Sequence, residues 1–133
     1  MDPTIPTRQS CPPGACICEH DRLRETPGAD LRILRLTRHE EKRLLDRLEQ
    51  LTSLDELEHL QRKLFEQLGI RLHVAPSENV VRSMRGIRIH IDEMPGLCKK
   101  TRQSIPAAIR RALEARPEIA YTLLNANDLL RDT

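Results

Sequence analysis

The clearest periodicity in the chain is helical and begins near Thr37. Leu44, Leu45, Leu48 and Leu51 recur at intervals of three and four, the spacing that lines one face of an α-helix with side chains to bury. Thr37 followed by Glu40 is a capping box, in which each side chain can satisfy an amide of the other residue. Ser53 with Glu56 repeats that signal. Leu57, Leu60, Leu64, Phe65 and Leu68 then carry a second stripe to Gly69, a residue that readily takes the left-handed conformation ending a helix. The pattern predicts two helices, 38–51 and 54–68, with a turn or sharp bend between the two caps.

Past Gly69 the period drops to two. Ile70, Leu72 and Val74 alternate with Arg71 and His73, and Ile87, Ile89 and Ile91 alternate with Arg88, His90 and Asp92. That is the pattern of strands with one buried and one wet face, and the two similar segments are expected to pair. Pro95-Gly96 marks a turn. Ser104 is expected to cap a helix beginning at Ile105, with Pro106 in a first turn where a missing amide is harmless. Pro117 ends that helix and starts another, in which Ile119, Ala120, Leu123, Leu124 and Leu130 recur at helical spacing. The short run Leu31 to Leu36 is read as a strand. An α+β domain over residues 31–133, with a small antiparallel sheet packed against helices, is the economical architecture.

Residues 1–30 break the pattern. They hold Pro3, Pro6, Pro12, Pro13 and Pro27, five of the nine prolines, so an irregular arm with neither helix nor central strand is expected. At 133 residues, one domain with an appended segment is the natural organisation. With 38% hydrophobic and 32% charged residues, general disorder and membrane insertion are both disfavoured, and no membrane partner is expected. Aromatic residues make up only 2%, so the core must be built from Leu, Ile and Val. Met1 to Ser10 lacks the basic and apolar regions of a signal peptide, which makes the cytoplasm the expected compartment. In a reducing compartment four cysteines read as metal ligands or redox thiols before they read as permanent disulfides.

Three of those thiols, Cys11, Cys16 and Cys18, lie within eight residues of the arm, and Cys98 follows eighty residues later. Four thiolates, or three with His20, would complete a tetrahedral zinc site, and four would equally hold an iron–sulfur cluster. Cys16 and Cys98 each follow a Pro-Gly-x element, suited to a type II turn whose amides can face a sulfur. The spacing misses the plant-type ferredoxin pattern by one residue, and Cys16-x-Cys18 is tighter than the usual zinc pair. A reversible disulfide in the arm, or inert thiols with Cys98 buried as a small hydrophobe, are the competing readings.

Charge adds one further candidate. The formal net charge is only +2, yet residues 82–116 hold nine basic side chains against three acids. Lys99, Lys100 and Arg102, ahead of the expected Ser104 cap, together with Arg110 and Arg111, could meet a phosphate backbone. No aromatic platform or recognition-helix signature accompanies them. His73 and His90 occupy equivalent wet-face positions and would form a metal or anion site if the register brought them together, although no third ligand is evident. His39, in a first helical turn, lacks the His-Glu-x-x-His zinc motif, and no phosphate loop, nucleophile elbow or carboxylate pair is visible. The expectation is a small non-enzymatic zinc or iron–sulfur protein, regulatory, adaptor or cofactor-handling, acting on a protein partner. The alternatives are a nucleic-acid-binding accessory protein using the basic segment, and a purely protein-binding adaptor using the Leu-rich helices.

Overall fold

The structure, a computed structural model, describes residues 20–76 and 86–126, apart from the side chains of 20, 21 and 126. In chain order come α1 (His20–Glu25), a 3₁₀ segment (Arg32–Arg35), α2 (Arg38–Glu49), α3 (Leu54–Leu68), β1 (Leu72–Pro76), β2 (Ile87–Ile91), α4 (Lys99–Ala115) and α5 (Pro117–Ala126). The two strands pair antiparallel, and helices cover the sheet, an α+β arrangement. α4 packs on α2, β2 and α5, while α3 meets the 3₁₀ segment, β1 and α5. Ile33, Leu48, Leu57, Ile87, Ile109 and Ile119 are among the side chains buried between these layers, each contributing about 1.5–3 kcal/mol of transfer free energy. Phe65 and Tyr121 are 43% and 58% exposed, so the core is aliphatic throughout, as the composition requires.

Both predicted caps form in their hydroxyl half, while the Thr37 amide donates to the Arg35 carbonyl at 2.9 Å and Glu56 Oε2 accepts from the Thr52 hydroxyl at 3.2 Å. Thr37 Oγ1 accepts from the Glu40 amide at 3.3 Å, and Ser53 Oγ accepts from the Glu56 amide at 3.1 Å. Leu51 lies beyond the end of α2 and is fully buried, holding the bend between the helices into the core. α3 ends at Gly69, whose φ of +75° lets its amide turn back to the Leu64 and Phe65 carbonyls. Arg32 crosses from the 3₁₀ segment to the same helix end, Nη1 donating to the Phe65 carbonyl at 2.9 Å and the Glu66 carbonyl at 3.3 Å. A cation there meets the negative end of the helix dipole. Asp30 holds the guanidinium through bonds of 3.0 Å from Nε and 2.7 Å from Nη2, and the hydrogen bond from Arg32 keeps the Asp30 carboxyl below its ordinary value of 3.8.

Three sequence expectations need correction. Leu31 to Leu36 is not a strand. Ile33 and Leu34 are both buried, and successive residues on one interior side suit a 3₁₀ turn rather than a period of two. The first thirty residues are not wholly irregular either, since His20–Glu25 forms α1 and buries Leu23. Finally, α4 begins at Lys99 with Cys98 as its N-cap, six residues ahead of the expected start at Ile105. Ser104 is interior and donates its hydroxyl to the Lys100 carbonyl at 2.7 Å, while Pro106 lies within the helix. Thr101, Ile105, Ala108, Ile109 and Ala112 form one continuous buried stripe, and that burial outweighs the backbone bond Pro106 cannot make. Thr101 also ties α4 to α2, its hydroxyl donating to Glu41 Oε1 at 2.9 Å.

Candidate functional site

The β1–β2 register pairs Leu72 with Ile91, His73 with His90 and Val74 with Ile89. Leu72, Ile87 and Ile91 turn inward and are buried, which sends His73 and His90 to the exposed face together. Their rings stack with centroids 4.7 Å apart and planes at 21°. Asp92 follows His90 by two residues, and its amide extends the ladder by donating to the Arg71 carbonyl at 3.2 Å. Its carboxylate therefore shares that face, where Oδ1 lies 3.1 Å from His73 Nε2, a diagonal cross-strand contact. One ligand atom from each of His73, His90 and Asp92 lies within 4.8 Å of the others. Asp92 supplies the third candidate donor that was not evident beside His73 and His90. Its signal was the period itself, since His90-Ile91-Asp92 puts two ligands on one side of a strand.

Cys98 is half-buried at the start of α4. The turn before it depends on Gly96, whose φ is +87°. A Cβ placed there would lie 2.7 Å from both Leu23 Cδ2 and Ile33 Cγ2, so α1 and the 3₁₀ segment close directly onto this turn. Leu97 is buried, and its amide donates to the Met94 carbonyl at 3.2 Å. Cys11, Cys16, Cys18 and the His20 side chain lie outside the described residues. The backbone of His20 opens α1, one helical turn before Leu23.

The basic candidates do not form one patch of uncommitted charge. Arg102 pairs with Glu93 at 2.7 Å, Arg111 pairs with Glu49 through Nε at 2.7 Å, and Arg110 Nη2 donates to the Ile87 carbonyl at 3.0 Å. Lys99 and Lys100 are exposed in the first turn of α4, at the positive end of its dipole. The arrangement spends its arginines on joining α4 to α2, to β2 and to the β2–α4 connection. Arg82 and Arg85 lie outside the described residues. Among the described residues no helix is long and apolar enough to cross a membrane. Comparison with protein-family models, with characterised proteins and with solved structures yields no match.

Proposed function

We propose that the chain is a non-enzymatic metal-thiolate protein, regulatory, adaptor or cofactor-handling in type, in which Cys11, Cys16 and Cys18 bind zinc or an iron–sulfur cluster with Cys98 as fourth ligand. The supporting observation is the closure of Leu23 onto Gly96, two residues before Cys98. His20 stands about 4.5 Å along the helix axis from Leu23. An extended chain covers up to about 3.6 Å per residue, so Cys18, Cys16 and Cys11 all have the reach to meet a sulfur near that turn. Zinc or a cluster bound there would tie the arm to the start of α4 as a cross-link. The partner of such a module is a protein, met through a surface that metal loading orders.

Anaerobic purification of the full chain, elemental analysis and a visible spectrum test this reading. The expected result is about one zinc or one cluster per chain, lost in C16S and C98S. With no Trp and one Tyr, a cluster chromophore would be plain in the spectrum. Absence of metal in the anaerobic preparation would overturn the proposal. If that preparation also bound DNA or RNA with steep salt dependence, the basic segment would become the working surface instead.

A further inference from the structure

We infer that His73, His90 and Asp92 form a second metal site, independent of the thiols, that takes a divalent transition-metal ion on the exposed face of the β1–β2 ribbon. Two features carry this. The pairing is a matter of register rather than chance proximity, because His73 and His90 are directly opposed partners and Asp92 is the next residue on the same face. The ligand atoms already converge, all within 4.8 Å of one another, with His73 Nε2 and Asp92 Oδ1 at 3.1 Å. Two ligands on one ion with bonds of about 2.0–2.2 Å sit about 3–3.6 Å apart, so this pair needs almost no movement and the exposed His90 ring only a modest swing. An ion entering there would sit between Nε2 and Oδ1 and bind each through a lone pair.

The ligand set selects the metal. Two imidazole nitrogens and one carboxylate oxygen suit zinc, nickel(II) or copper(II), whereas calcium and magnesium require six or more oxygens. Three ligands from one side leave the remaining coordination positions open to water or to a donor from another molecule. The ion would also bridge the two strands, a cross-link across the ribbon.

The test is a nickel(II) chloride titration of the full chain, read through the imidazole resonances of its histidines by NMR. The expected result is saturable broadening of the His73 and His90 signals at concentrations that leave His39 and His59 unchanged. D92N and H90A should weaken nickel binding at His73 by at least the roughly 10–100-fold that loss of a supporting group around a metal costs. All three side chains point to solvent, so these variants leave the core untouched. If the His73 and His90 signals respond only together with those of His39 and His59, the inference fails. It fails equally if D92N and H90A leave the response of His73 unchanged. The wild-type titration decides the matter even if a variant misfolds, and it resolves the ribbon from any metal held by sulfur.

Discussion

Three glycines with similar backbone angles offer a controlled measurement of how tightly the fold closes around the turn before Cys98. Gly28, Gly69 and Gly96 have φ of +73°, +75° and +87°, so an alanine at any of them meets the same kind of backbone penalty, about 1–2 kcal/mol. What the new methyl group touches differs. At Gly28 nothing lies within 4 Å. At Gly69 the nearest atoms are Asp30 Oδ2 at 3.0 Å and Arg32 Nη2 at 3.3 Å, the ends of exposed or half-buried side chains that can shift. At Gly96 they are Leu23 Cδ2 and Ile33 Cγ2, both at 2.7 Å and both belonging to buried residues with no room to retreat. Overpacking of that kind costs about 1–3 kcal/mol more. Urea unfolding of the three variants, with free energies from linear extrapolation, should therefore rank G28A as mildest, G69A as intermediate and G96A as worst, at about 2–5 kcal/mol. A G96A variant no less stable than G28A would show that α1 does not close on the turn, and the reach argument for Cys98 would fall with it.

Replacing Thr101 by Val keeps the shape but removes the hydroxyl given to Glu41, and should cost about 1–2 kcal/mol in the same assay because a half-buried carboxylate loses its donor. Substituting Pro106 by Ala should stabilise the protein by about 1–3 kcal/mol, seen as a raised thermal midpoint in circular dichroism, by returning a backbone donor to the middle of α4. Asp30 has its carboxyl held below the ordinary value of 3.8, chiefly by the side-chain hydrogen bond from Arg32. The folded state therefore binds that proton less readily than the unfolded chain, and the resulting stability is fully present above about pH 4 and lost as pH falls through the lowered value. The stability difference between the parent and D30N should accordingly shrink on acidification below pH 4, and a difference that does not change with pH would refute this assignment.

The helical half of the fold was legible because burial and local chemistry agree there. Thr37, Ser53 and Gly69 bound α2 and α3 within two residues, since a cap hydroxyl and a left-handed glycine act through the nearest few amides. The strands were legible for a similar reason, because a period of two leaves one face apolar, with Leu72 and Val74 opposite Ile91 and Ile89. The start of α4 was not. Ser104-Ile105-Pro106 is a credible helix entry when read locally, and only the burial of Thr101 against α2 shows that the helix is already running. Residues 32–35 failed for want of length, and α1 was hidden by the prolines around it. Of the site, His73 and His90 were visible as equivalent positions and the period of two put Asp92 on the face of His90, but only the register makes it a diagonal neighbour of His73.

Asp92 and Cys98 close the two ends of one short connection, from the end of β2 to the cap of α4, and this makes the independence of the two donor sets a question that can be settled. Glu93 is fixed to Arg102 and Gly96 is clamped by Leu23 and Ile33, so the connection is anchored at its beginning and in its middle. The packed turn at Gly96 thus stands between the two donor sets. The chemistry separates them further, as thiolates select soft or borderline ions and the imidazole–carboxylate set prefers borderline ones. C98S should therefore leave the nickel response of His73 and His90 unchanged, and H90A should leave in place the metal that C98S removes, with effects that add in the double variant. Loss of both properties in either single variant would mean that sulfur, imidazole and carboxylate serve a single centre, and that the connection between them moves as one piece.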